Sequence, residues 1–267
     1  ANNNVAVGYY ALLANTTGAD NTAVGAYALD ANTTGIDNVA VGKAALGVST
    51  TGQRNAALGT LSLDACTTGS NNVGVGYESL SANTTGASNV AAGYLALWKN
   101  TTGNSNIAIG SGAVDANTTG SGNVGIGSNT LGSLTTAGEV TGVGDGALAT
   151  ATSAALNTAF GAQTLAAATT GGTNTAVGAY ALNDNTTGYL NTAVGAYAAD
   201  ALTTGANNSF LGYQAGVSGS PGGAITSGSN EVVIGDENVS KVNVQVDWTV
   251  ASDQRDKTDF TALDLGL

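Results

Sequence analysis

The sequence predicts an all-β fold, a parallel β-solenoid (β-roll) in which each coil contains 17 residues. The first observation is a glycine that closes an NxAVG segment and returns at every seventeenth position from Gly8 to Gly212. The second is a TTG segment with the same period from Gly18 to Gly205, except where Ala137 and Ala154 replace the glycine. A short period held without slippage is typical of a stack of coils, each packed on its neighbours.

The composition supports an ordered repeat and limits the classes of function. Among 267 residues, 40 are glycine, 42% are hydrophobic and only 9% are charged. A disordered tract has no reason to keep an apolar residue at one phase of a repeat. The net charge of −12 disfavours binding to nucleic acid or to an anionic membrane, because both need clustered Lys and Arg. No signal peptide or membrane span is evident, and the chain begins within a repeat, which predicts a longer natural protein.

Each coil is numbered here from the Asn of NxAVG, position 0, and the next three residues predict a short strand. Position +3 is apolar in every coil, and position +1 is Val, Thr, Ala, Ile or Ser. This period-two alternation predicts that the +1 and +3 side chains point into the core. Only Val140 replaces Asn at position 0, so coils stacked about 4.8 Å apart would form a ladder of amide side chains. Thirteen such coils predict a rod on the order of 60 Å long.

Position +2 is a column of small residues with two interpretations. Either each coil folds back tightly on itself, or a partner chain runs along the whole solenoid. The second interpretation predicts that Gly125→Leu weakens assembly. The candidate interface residues on this column are Ala6, Ala23, Ala40, Ala57, Gly74, Ala91, Ala108 and Gly125.

The segment after the strand predicts a second element and a return turn. Position +8 is Leu in ten coils and is predicted to lie in the core. The segment around it, GAYALDAN in the second coil, is compatible with a second strand or one helical turn. The ANTTG that follows predicts the turn back, because Asn and Gly tolerate a left-handed backbone and Thr hydroxyls bond to turn amides.

The residue types needed for most catalytic and metal chemistry are missing from the repeats. With no His and one Cys there is no thiolate–imidazole pair and no soft metal site. Cys66 occupies a position usually held by Asn and is predicted to be a small buried thiol. We therefore predict no cofactor, no metal and no enzymatic activity in residues 1–216. Four carboxylates share position +9 and are predicted to lie in solvated turns, with glycan or ion binding as the alternative: Asp30, Asp64, Asp115 and Asp200.

The repeat changes after Gly212. Residues 217–229 are rich in Ser and Gly, and the next strand-like segment ends at Gly235, 23 residues after Gly212. The sequence thus predicts a repeat shaft at 1–216, a linker and β end region at 217–251, and a distinct segment at 252–267. The alternation in SKVNVQVDWTV predicts a strand that buries one face against symmetry-related copies, through Val242, Val244, Val246 and Trp248.

The last segment carries a resemblance to a known family. SDQRDK, at 252–257, resembles the opening signature of the endosialidase-type intramolecular chaperone at the C-termini of phage tailspikes and tail fibres, and TALDLGL resembles the entry into its first helix. The resemblance covers 16 residues. It implies a homotrimer that cuts itself between Ser252 and Asp253, with Lys257 as the base for the Ser252 hydroxyl.

The repeats carry a second resemblance. NxAVG is similar to the NSVAIG coils of trimeric autotransporter adhesin heads, which are left-handed parallel β-rolls with shorter coils, and the NTAVG…NTTG pattern resembles phage tail fibre repeats. Together these imply a left-handed, homotrimeric fibre of the extracellular virion tail that attaches to a host. Its partners would be copies of itself, other tail proteins and a host surface glycan or protein receptor. The alternatives are a cell-surface adhesin or extracellular filament with the same coil, and a glycan-degrading tailspike; adjacent threonines at a turn disfavour ice binding.

Overall fold

The predicted β-solenoid is confirmed. The structure, a computed structural model, describes residues 2–220 and 223–242. These residues contain no helix, and their strands form one parallel sheet in which each strand pairs with the next along the chain. The register advances one repeat per strand, so that Ala6 pairs with Ala23 and Ala23 with Ala40. The strands, of three residues each, are β1 (Val5–Val7), β2 (Thr22–Val24), β3 (Val39–Val41), β4 (Ala56–Leu58), β5 (Val73–Val75), β6 (Val90–Ala92), β7 (Ile107–Ile109), β8 (Val124–Ile126), β9 (Thr141–Val143), β10 (Thr158–Phe160), β11 (Thr175–Val177), β12 (Thr192–Val194), β13 (Ser209–Leu211) and β14 (Val232–Ile234).

The second element of each coil is neither the strand nor the helical turn that the sequence suggested. Positions +5 to +10 form consecutive turns, in which Ala28 N–H donates to Gly25 O at 3.3 Å and Asn32 N–H to Leu29 O at 3.2 Å. The φ angles at +6 and +8 are positive, 61° at Tyr27 and 50° at Leu29. Two left-handed residues in alternate positions are incompatible with both regular structures, and bonds to neighbouring coils hold them in place.

The side chains at +1 and +3 do not face the core, and that prediction was wrong. Position +2 is fully buried from Ala23 onward, whereas Val24 and Val41 at +3 are 37% and 38% exposed. The alternation was correct but its phase was inverted, because the interior is too narrow for a large residue there. A Cβ added to Gly125 would lie 2.5 Å from Val114 Cγ2.

The interchain contact proposed for the +2 column is corrected by the same burial. Ala23, Ala40, Ala57, Gly74, Ala91, Ala108 and Gly125 lie inside their own coils, and Ala6 is exposed only because it belongs to the first coil. The tight fold-back within the coil is therefore the interpretation that the structure supports. Gly125→Leu would disrupt the coil itself, whether or not copies assemble.

The core of each coil is completed by Ala at +7 and Leu at +8. The prediction for +8 is confirmed, since Leu29, Leu46 and Leu97 have no exposed surface. The interior is a continuous column of Ala and Leu, bordered by buried Asn side chains.

The sheet continues past the boundary predicted at residue 216. Strand β14 pairs with β13 in register, Ser209 with Val232, so the insertion after Gly212 loops out between two adjacent strands. Phe210, Ile225 and Val233 are buried at this end of the core. The compact unit ends at Glu237. Val242 is 52% exposed, and the predicted residues Val244, Val246, Trp248, Ser252, Asp253 and Lys257 lie outside the described residues.

Candidate interaction surface

A buried ladder of asparagines at position 0 holds the coils in register, as predicted. Asn38 N–H donates to Asn21 Oδ1 at 3.0 Å, and Asn38 Nδ2 donates to Gly52 O at 2.9 Å. The first bond joins adjacent coils and the second closes a coil on itself. Because each amide is fully buried and bonded on both sides, each repeat carries a polar latch that only Asn fits.

A second ladder, at position +11, was missed because its Asn had been assigned to the turn. Asn100 Nδ2 donates to Asn83 Oδ1 at 2.8 Å and to Gly103 O at 3.0 Å. Thr at +12 adds a third contact between coils, such as Thr101 Oγ1 to Thr118 O at 2.9 Å. The recurrence of Asn-Thr-Thr-Gly in step with NxAVG was the available signal. The Thr at +13 remains exposed on the outer surface.

The outward face of the sheet is a long apolar surface, called here the strand ribbon. It consists of the +1 and +3 side chains of β1 to β14, and none of them is charged. Ile109 is 42% exposed and Leu211 is 55% exposed. Strand spacing and rise give the ribbon about 60 Å by 10 Å of planar area. A continuous apolar surface of this size on a soluble protein marks an interaction site.

The ribbon changes in chemistry along its length. Position +1 is predominantly Val or Ile up to Val124, and from β9 onward it is a hydroxyl: Thr141, Thr158, Thr175, Thr192 and Ser209. Position +3 stays apolar throughout. One half therefore presents two apolar rows, and the other presents a hydroxyl row beside an apolar row.

Exposed tyrosines form clusters at positions +5 and +6, just after the ribbon. Tyr180 and Tyr197 are stacked with ring centroids 5.0 Å apart, and Tyr77 and Tyr94 are stacked at 5.7 Å. These rings cover one another in successive coils, and their exposed edges extend the apolar character of the ribbon. A hydrogen bond to Glu78 raises the pKa of Tyr77.

The carboxylates at +9 are half-buried beside the turns. Partial burial raises the pKa of Asp30, Asp64, Asp115 and Asp200 above its ordinary value, and at Asp115 the charge of Lys99 opposes that rise. In the described part of the chain, no three His, Cys, Asp or Glu residues are grouped to hold a metal ion, and no pocket is present. Over the same residues, no helix has the length and apolar character needed to cross a membrane.

Cys66 should be unreactive while the protein is folded. The thiol is fully buried, and burial raises its pKa to about 11. At pH 8 we expect a colorimetric thiol reagent to label less than about 1% of the folded chain in the time that it labels the denatured chain completely. The unfolded thiol ionises near pH 9.0, before the folded one, so the thiol's contribution lowers the free energy of unfolding as pH rises from about 9 to 11. Rapid labelling of the folded protein would contradict this burial.

Comparison with known proteins adds no relatives: no family model, curated protein or solved structure matches this chain.

Proposed function

We propose that this chain is a structural segment of a fibre, in which the strand ribbon packs against copies of the same chain. The observation that carries the proposal is a ribbon without a single charge, in a protein of net charge −12. Burying this surface removes apolar area from water without stripping water from a charged group.

The identity of the partner follows from the repeat. A surface that recurs about every 4.8 Å along 14 strands is matched over its full length only by a partner with the same spacing. A second copy of the chain has that spacing by construction. The planar area of about 600 Å² approaches the roughly 800 Å² of accessible surface that each partner of a standard interface buries.

The wider role follows from the two resemblances. The coils resemble those of trimeric adhesin heads, and the segment 252–267 resembles the start of the chaperone that trimerises phage fibres. We therefore propose a homotrimeric tail fibre of a phage that takes part in host attachment. Its further partners would be other tail proteins and a host surface glycan or protein. Self-cleavage between Ser252 and Asp253, with Lys257 as base, belongs to the same proposal.

The ribbon is tested by placing one charge on it. We expect Ile109→Glu to convert the oligomer to monomers, because each interface would bury an unpaired carboxylate at a cost of several kcal/mol. Native mass spectrometry of the intact protein reads the stoichiometry and any cleavage at Ser252 together.

The matched control is Thr119→Glu, which introduces the same charge in the same coil on the exposed +13 column. It should remain oligomeric. Circular dichroism should be unchanged in both variants, since both positions are exposed in the single chain. A wild-type monomer, or an Ile109→Glu variant that stays oligomeric, would overturn the proposal.

A further inference from the structure

We propose that the solenoid contains a built-in joint, at residues 134–154, which opens before the stacks on either side of it. Four features of the repeat change together in this segment, and each weakens the attachment of one coil to the next. The inference concerns only the stacking within one chain, so it stands apart from the proposed assembly.

The +11 ladder is absent at the joint. Leu134, Ala151 and Ala168 replace Asn in three successive coils. In the regular coils the Oδ1 atom at this position accepts from the amide of the next coil, as Asn100 accepts from Asn117 at 2.8 Å. Leu134 has no amide to donate, and Asn117 Oδ1 is buried without a hydrogen-bond partner among the described residues. The ladder therefore ends in an unsatisfied acceptor at the edge of the joint.

The position-0 ladder is interrupted in the same place. Val140 N–H still donates to Asn123 Oδ1 at 3.1 Å, which closes the ladder from the first side. The valine side chain offers no acceptor to Asn157 and no donor to Ala154 O. Asn157 Nδ2 instead donates to Ala154 O at 3.2 Å and to Gly171 O at 2.8 Å, so the next ladder begins anew.

The loss of Asn at +11 and of Gly at +14 are linked by geometry. A Cβ added to Gly35 would overlap Asn32 Oδ1, three residues earlier, and the same overlap recurs at Gly86 with Asn83. Asn at +11 therefore excludes alanine at +14 in the same coil. Ala137 and Ala154 occupy +14 in the coils whose +11 residues are Leu134 and Ala151, which have no amide.

The stacking distance increases where the alanines lie. Thr135 N–H donates to Thr152 O at 3.3 Å, and Thr152 N–H donates to Thr169 O at 3.2 Å. At the ten other steps of this column the distance is 2.7 to 3.0 Å. The joint also coincides with the change of the ribbon at Thr141, so it separates a stack with two apolar rows from one with a hydroxyl row. Opening at the joint would let two stacks with different surfaces reorient as intact bodies.

Hydrogen exchange read by mass spectrometry on the whole 267-residue chain tests the joint. We expect amides between Leu134 and Asn157 to exchange at least about tenfold faster than the amides at equivalent positions of the third to sixth coils. The comparison is internal to one chain, so its outcome does not depend on whether copies associate. Uniform exchange along the solenoid would overturn the inference.

Two variants make the test specific. Val140→Asn restores an acceptor for Asn157 N–H and a donor for Ala154 O, and should slow exchange across the joint. Asn89→Val places the same interruption between two regular coils and should create a second fast region there. If neither variant changes the local exchange rates, the missing ladder bonds do not set the weakness and the inference fails, even where one variant folds poorly.

Discussion

Gly42→Ala is expected to lower the free energy of unfolding by about 4 kcal/mol or more, enough to unfold the surrounding coils. Gly42 ends its strand at φ 136°, a backbone conformation that L side chains rarely adopt. A Cβ there would lie 2.5 Å from Gly59 O and 2.6 Å from Gly59 C in the next coil. The neighbouring atoms are backbone and cannot turn aside, so the coils must separate. Denaturant unfolding followed by circular dichroism measures the loss.

The control for this substitution is another glycine with positive φ. Gly122 has φ 72°, and the closest atom to an added Cβ is Glu139 Cγ, 3.6 Å away. Ser88 and Ser105 occupy the same position in other coils at φ 60° and 56°. Gly122→Ser should therefore change the free energy of unfolding by less than about 1 kcal/mol. Equal effects of the two substitutions would mean that contact between stacked coils is not what demands glycine at Gly42.

Asn72→Ala is expected to destabilise the protein by about 3 kcal/mol or more. The side chain is fully buried and bonded in both directions. Asn72 Nδ2 donates to Gly86 O at 2.9 Å, and Asn72 Oδ1 accepts from Asn89 N–H at 3.0 Å. Alanine would leave a buried carbonyl and a buried N–H without these partners. In a stack, the loss weakens the contact with the next coil, so unfolding should spread from this point.

The matched control is Asn129→Ala. Asn129 is exposed at position +6, where Ala44 shows that alanine accepts the same left-handed backbone. We expect a change within about 0.5 kcal/mol. If Asn72→Ala were as mild as this control, the buried ladder would contribute little to stability, and apolar burial alone would hold the stack.

The sequence predicted the period and the parallel stacking because both are visible in the spacing of identical residues. It did not predict which strand face is buried. Hydrophobicity assigned Val24 to the core, yet size decided the matter, since only the small Ala23 fits between the strand and Leu29. The limiting quantity was the width of the coil, which no single repeat reveals.

The turns after the strand were also beyond a pattern-based prediction. Tyr27 and Leu29 are not residues that favour a left-handed backbone, and bonds from adjacent coils hold them in it. The +11 ladder had a readable signal in ANTTG, but Asn in a turn has a sufficient local explanation. The ribbon was not predicted because its location depends on the face that was inverted. Ser252 and Lys257 stay predictions from the sequence.

The paired ladders make the length of this solenoid adjustable only in whole units. Deleting or duplicating one residue would bring every buried amide beyond that point against the wrong partner, whereas deleting or duplicating 17 would restore each bond. Unequal recombination between the near-identical repeats of such a gene changes its product in steps of 17 codons, and each step alters the stack by about 4.8 Å. The shaft thus behaves as a graduated ruler, on which natural variants should differ in length by whole graduations.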